Sequence, residues 1–152
     1  MVETKLSKTL DLDPFIVEGK FLFKAAKGEH IKTGRISNFM YVLLPYDIYK
    51  GRFLTHNELT KTLLYKNYLS INEIKEILKK TSKHLRKEWW HVERMRPEVF
   101  LRYKVMWRDV AKEFIVAVDT EGIIPDYTIN YVVTNNYCSN NFICIIQKLI
   151  KN

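Results

Sequence analysis

Arg102-Tyr103-Lys104-Val105-Met106-Trp107-Arg108-Asp109-Val110-Ala111-Lys112-Glu113-Phe114-Ile115-Val116-Ala117-Val118-Asp119 is the stretch that decides the fold class. It reads as two strands. Tyr103, Val105 and Trp107 alternate with Lys104, Met106 and Arg108, the period-two pattern of a half-buried strand. Residues 114–118 form a short apolar run, suited to a strand covered on both faces. The polar residues 109–113 connect them.

Outward from this pair, more strands follow from the same reasoning. Residues 15–26 hold apolar positions at 15, 16, 17, 21, 22 and 23, interrupted by Glu18-Gly19-Lys20, and predict a strand after a turn. Residues 38–44 predict another, stopped by Pro45, which cannot donate to a ladder. Residues 129–133 are a further strand candidate, after the turn signal Asp119-Thr120-Glu121-Gly122. Two capping boxes, Thr55-His56-Asn57-Glu58 and Ser70-Ile71-Asn72-Glu73, mark helix starts. The second opens a helix predicted over 71–87, with Ile71, Ile74, Leu78 and Leu85 as its buried stripe. Residues 141–150 predict a closing helix. The expected architecture is a single α+β domain over 15–152, after a loose polar arm at 1–14. Its strands near 20, 40, 104, 115 and 130 would form one mixed, mostly antiparallel sheet, with the long helix packed on it.

The chain has 152 residues, 47% of them hydrophobic and 28% charged, enough for a core and too ordered a composition for a disordered chain. The net charge is +8, which favours an anionic partner, nucleic acid before an acidic membrane surface. Residues 1–13 lack the apolar core of a signal peptide, and no apolar run reaches the roughly 20 residues of a membrane span. The two cysteines, Cys138 and Cys144, do not form the pattern of a disulfide framework or a zinc site. A reducing, cytoplasmic setting is therefore expected.

Local motifs for catalysis are missing. The five glycines, at 19, 28, 34, 51 and 122, never cluster into a phosphate-cradling loop. The four histidines, at 30, 56, 84 and 91, are scattered, so no metal site is expected, and no cofactor. Pro125-Asp126 resembles half of a metal-nuclease motif, but no Glu-x-Lys follows it, and turn chemistry accounts for it better.

Basic and aromatic residues are concentrated instead. Residues 86–108 place Trp89, Trp90, Tyr103 and Trp107 among five arginines (86, 94, 96, 102, 108) and two lysines (87, 104). Planar cations beside rings can hold phosphates and stack on bases. Lys75, Lys79, Lys83 and Lys87 recur at four-residue spacing along the predicted helix, which taken alone also describes a solvated face. Lys27, Lys32 and Arg35 lie in a basic loop with two glycines.

The order of four stretches resembles the target-recognition region of adenine-specific DNA methyltransferases, including the TaqI-like specificity domain and fused restriction-modification enzymes. Residues 21–31 resemble that family's strand and Lys/Arg-Gly-x-x-Ile turn. Residues 41–47 resemble its apolar strand ending in Pro-Tyr-Asp. Residues 68–90 resemble its long helix before an aromatic segment. Residues 103–119 resemble its Lys-Ile-x-x-Arg-x-Ile strand and the strand-Asp that follows. The likeness spans about 15–133. The family's methyl-donor site and its Asn/Asp-Pro-Pro-Tyr tetrad are absent, and Pro125-Asp126-Tyr127 is not that tetrad. The resemblance therefore implies a recognition domain apart from its catalytic half, not itself an enzyme. Its partners would be double-stranded DNA and a separate methyltransferase or nuclease subunit.

In that setting Lys27, Lys32, Arg35, Lys75, Lys79, Lys83 and Lys87 would neutralise phosphates and set register. Arg94, Arg96, Arg102 and Arg108, with Trp89 and Trp90, would reach base edges or enter a groove. Trp107 and Tyr103 are read as core, and Asp109 as a turn or ion-pair residue. Three rivals stand beside this reading. One is a protein-interaction subunit that docks on a methyltransferase or nuclease. Another is a small metal-dependent nuclease built on Asp11, Asp13, Glu18 and Lys20. The third is an RNA binder.

Overall fold

A computed structural model describes residues 1–81, 88–92, 95–110 and 113–133. In chain order its helices are α1 (Lys5–Thr9), α2 (His56–Leu59) and α3 (Asn72–Thr81). Its strands are β1 (Leu22–Ala26), β2 (Ile31–Lys32), β3 (Arg35–Ile36), β4 (Met40–Leu43), β5 (Tyr46–Asp47), β6 (Arg52–Phe53), β7 (Lys104–Arg108), β8 (Val116–Asp119), β9 (Ile124–Pro125) and β10 (Ile129–Val133). The fold is α+β, with mostly antiparallel pairing. Two compact units share the chain. One comprises Met1–Ala25 and Met40–Phe100, the other Ala26–Phe39 and the described residues from Leu101 onward. Among the described residues no helix is long and apolar enough to cross a membrane.

The first unit is built on an apolar cluster of Phe15, Phe21, Leu54, Leu59, Leu64, Tyr68, Leu69, Ile74 and Trp90. Fully burying each such side chain contributes roughly 1.5–3 kcal/mol. β1 pairs antiparallel with β4, from Leu22↔Leu43 to Ala25↔Met40. Residues 1–14, expected as a loose arm, are tied down. Val2 exchanges backbone hydrogen bonds with Phe15, and Thr4 caps α1 in a box with Ser7. The Thr4 hydroxyl also meets the Tyr68 hydroxyl at 3.0 Å, while Tyr68 stacks on Phe15 with centroids 4.5 Å apart.

The Thr55 box forms as expected, with Glu58 Oε2 accepting from the Thr55 N–H at 2.9 Å. The Ser70 box does not. The Ser70 hydroxyl donates back to Lys66 O at 2.9 Å, into the π-helical turn Tyr65–Leu69, and α3 begins at Asn72. A carbonyl freed by the wide turn competes for the hydroxyl and wins it. Ile74 is buried, and Ile71 and Leu78 pack against the cluster. A long helix is not evident: α3 is described for ten residues, and 82–87, with Leu85, lie outside the described residues. The closing helix expected over 141–150 also lies outside them.

The second unit holds its own cluster of Ala26, Ile31, Met106, Ala117, Ile123 and Ile129. Its sheet runs β10-β7-β8, antiparallel throughout, with Met106 opposite both Tyr131 and Ala117. The single sheet expected from five strands is thus divided: the strands near 20 and 40 pair with each other, and those near 104, 115 and 130 form this one. Alternation fixes which face of a strand is apolar but not which strand lies beside it. β7 is also not half-buried as its alternation suggested, because Lys104, Val105 and Met106 are all buried. β8 starts at Val116, and Phe114 of the apolar run is 58% exposed.

Lys104 is inside because Asp119 is opposite it. The two are register partners on β7 and β8, each with a fully buried side chain, and Lys104 Nζ lies 2.7 Å from Asp119 Oδ2. Lys104 also donates to Leu101 O. Burial pushes the Lys104 ammonium below lysine's ordinary pKa, and the bond to Asp119 opposes that push. Asp119 does more than pair. Its Oδ1 accepts from the N–H groups of Glu121 (2.9 Å) and Gly122 (3.2 Å), and its Oδ2 from Ile123 (2.9 Å). Gly122 supplies the left-handed conformation, φ 82°, that closes this turn.

The two halves of the pair are therefore not equivalent. Asp119→Leu orphans a buried ammonium and three backbone N–H groups together, and is expected to cost at least about 3–5 kcal/mol. Lys104→Met leaves the carboxylate its three N–H donors and is expected to cost less. Urea unfolding of both variants checks the order; equal losses, or a reversed order, would contradict this account.

Candidate nucleic-acid interface

The second unit presents a pair of cations directly opposite one another on a hairpin. β2 and β3 form a hairpin whose two-residue turn is Thr33-Gly34, with Gly34 in the left-handed region at φ 78°. The hairpin is anchored at both ends. Ile31, opposite Ile36, is fully buried in the core, and the Gly34 N–H donates to Val116 O on β8 at 2.8 Å. With Ile31 and Ile36 facing inward, the next pair along, Lys32↔Arg35, faces out, and both are exposed. Like charges directly opposite on paired strands repel. No ion pair or side-chain hydrogen bond among the described residues relieves them.

Several cations of the first unit, by contrast, are matched. Lys8 reaches Glu3 at 2.8 Å, Lys79 reaches Glu76 at 2.9 Å, and Lys50 and Arg52 share Glu58 at 2.7 and 2.8 Å. Glu58 is held well below the usual carboxylate range, first by Arg52 and then by Lys50. A cross-strand pair of cations left without a counter-charge is costly to the fold alone and useful to a surface that meets an anion.

A groove lies beside the hairpin. It is lined by Lys27, Gly28 and Glu29, by Arg108 and Asp109 at the end of β7, and by the turn Asp126-Tyr127-Thr128. Asp126 Oδ1 accepts from Thr128 N at 2.9 Å and from the Thr128 hydroxyl, so Pro125-Asp126 is turn chemistry, as its sequence implied. Thr128 Oγ1 accepts from the Gly28 N–H at 2.8 Å, and Thr128 O accepts from the Asp109 N–H at 2.9 Å. A Cβ on Gly28 would come to 3.0 Å from Thr128 Oγ1 and 3.2 Å from Thr128 O, tighter than ordinary contact, so Thr128 would have to shift. Asp109 Oδ1 accepts from Asn130 Nδ2 at 2.8 Å, rather than from an arginine. Arg108 Nη2 donates to Ile31 O at 2.8 Å, and its buried Nε has no hydrogen-bond partner.

No protein-family model matches the chain. A search of curated proteins likewise finds no match.

The remaining expected site residues divide between the units. Lys27, Lys32, Arg35, Arg102 and Arg108 belong to the second, and all but the half-buried Arg108 are exposed. Lys75, Lys79, Trp89, Trp90 and Arg96 belong to the first. There Lys75 Nζ sits 5.9 Å from the centroid of the half-buried Trp89 ring, and Lys79 is engaged by Glu76. Trp90 is not available to a ligand. It is buried in the first core, and its Nε1–H donates to Leu54 O at 3.1 Å. Two adjacent tryptophans on a turn cannot both face solvent cheaply, and the one whose N–H finds a carbonyl goes inside. Trp107 and Tyr103, read as core, are half-buried. Lys83, Lys87 and Arg94 lie outside the described residues.

Among the described residues no group of three or more His, Cys, Asp or Glu is placed to hold a metal ion. Of the carboxylates named for a nuclease, Glu18 is already engaged: its oxygens accept from the N–H groups of Leu63 (2.8 Å) and Leu64 (3.1 Å). Burial raises its pKa, but those backbone donors and Lys20 outweigh burial and leave it below the ordinary glutamate value. Sequence reasoning passed over Tyr127, which is 92% exposed. The Asp126–Thr128 bonds that hold its turn become visible only in the fold.

The groove gives a paired test of packing. Gly28→Ala drives a Cβ against Thr128 and is expected to destabilise by about 1–3 kcal/mol. Gly19→Ala, where nothing lies within 4 Å of the added Cβ, is expected to be neutral or slightly stabilising. Comparison of urea midpoints decides; similar midpoints for the two variants would show that the Gly28–Thr128 contact yields freely.

Proposed function

We propose that this protein is a sequence-reading DNA-binding module of an adenine-methyltransferase type of restriction-modification system, with the second unit making the contact. The observation that carries the reading is the Lys32–Arg35 pair, two exposed cations side by side on a hairpin anchored to the sheet, with no counter-charge among the described residues. Lys27, exposed on the same unit, adds a third cation near the chain's Gly28 turn. A net charge of +8 and the likeness of residues 15–133 to TaqI-like recognition regions support the same reading. In it the chain needs no cofactor and is not itself an enzyme. Chemistry on the DNA belongs to a separate methyltransferase or nuclease subunit in the cytoplasm.

A second reading, a protein-interaction subunit, draws on one observation: Ile48 and Tyr49, in the β5–β6 connection, are exposed apolar residues. Binding to such a partner would not depend on the hairpin cations.

The two readings separate on salt dependence. Duplex binding is measured from low to physiological salt for the whole chain and for a Lys32→Ala/Arg35→Ala variant. Each phosphate contact contributes about 0.9 to the slope of log affinity against log salt, so the variant is expected to lose close to two units of slope along with affinity. An unchanged slope would remove the hairpin from the interface and favour the protein-docking reading.

A further inference from the structure

The groove beside the hairpin has a charge pattern unsuited to a phosphate track. Glu29, Asp109 and Asp126 line it against Lys27 and Arg108, three carboxylates to two cations. A nucleic-acid backbone running through it would be repelled as much as held. What the groove does offer is a set of hydrogen-bonding groups beside a ring. Asp126 and Asp109 each commit Oδ1 inside the protein, and no described residue bonds their Oδ2 atoms. Among the described residues Arg108 makes one bond, from Nη2 to Ile31 O. Tyr127 is 92% exposed on a turn whose neighbours bind each other, so its backbone is held while its ring is open to a ligand.

From this we infer that the groove takes one unpaired nucleobase carrying an exocyclic amino group. Its ring stacks on Tyr127, and its amino and ring-nitrogen edge meets the carboxylates and the Arg108 and Lys27 donors. The division of labour follows from chemistry: phosphates go to Lys32 and Arg35, where charge is unopposed, and a neutral base with both donors and acceptors goes to the groove, where charge is mixed. Thymine, which has no amino group, meets the carboxylates only with carbonyls and an imide, and is the poorest fit. This inference rests on the proposed nucleic-acid function.

The test uses the whole chain and three labelled duplexes of one sequence: fully paired, with a single bulged adenine, and with a single bulged thymine. Anisotropy titrations are run for the natural protein, Tyr127→Ala and Tyr127→Phe. The bulged adenine is expected to bind roughly tenfold tighter than the paired duplex, and the bulged thymine to gain less. Tyr127→Ala should abolish the preference and leave binding to the paired duplex unchanged, while Tyr127→Phe keeps it. Binding to paired duplex without a bulge preference, or a preference that survives Tyr127→Ala, overturns this inference and leaves the proposed function standing. Failure of all three duplexes to bind overturns both.

Discussion

The second unit depends on one buried contact, Lys104 Nζ against Asp119 Oδ2 at 2.7 Å, with neither side chain exposed. Removing two charges from water is expensive, and their attraction repays it only where the remaining hydrogen bonds are also satisfied. Here Leu101 O gives the lysine a second acceptor, and three backbone N–H groups serve the aspartate. The pair also constrains register. A one-residue slip between β7 and β8 would turn both charges toward opposite faces and orphan each of them, so the pairing Lys104↔Asp119 excludes its neighbours. The same carboxylate shapes the turn that leads from β8 toward β9.

What reaches the surface is a consequence of that register. With β8 fixed, Val116 O receives the Gly34 N–H and the hairpin tip is held against the sheet. With β7 fixed, Arg108 at its end reaches Ile31 O at the root of the same hairpin. Ile31 and Ile36 then face the core, and Lys32 and Arg35 have no direction left but outward. Two like charges are thus presented side by side by a scaffold that fixes their backbone positions. That arrangement is mildly unfavourable for an isolated protein, and an anion of matching spacing would relieve it.

Much of this was legible in residue order and some was not. Period-two alternation and apolar runs located the strands near 20, 40, 104, 115 and 130, because a strand's two faces meet different solvents. They did not reveal that Lys104 is buried, since a lysine on a strand reads as solvent-facing until a partner fifteen positions away is known to lie opposite it. They also merged two sheets into one, because pairing partners are set by long-range fit. Ser70 looked like a helix cap and turned out to serve the preceding turn, whose open carbonyl lay nearer. At the candidate site, Lys32 and Arg35 were legible from a basic loop containing Gly34. Trp90 was not legible as core, because its hydrogen bond to Leu54 O joins residues 36 apart. Tyr127 was overlooked because an exposed aromatic stands out only once its turn is seen to hold its neighbours.

The measurement that bears most directly on the central claim is selection of bound sequences from a randomised duplex DNA pool, using the purified whole chain at a low and a physiological salt concentration. A module that reads DNA is expected to enrich one short motif, and to keep enriching it at the higher salt, because base-edge contacts survive screening that phosphate contacts do not. Binding that vanishes at the higher salt with no motif enriched would contradict the claim, and would leave the hairpin as a charged surface without a sequence to read.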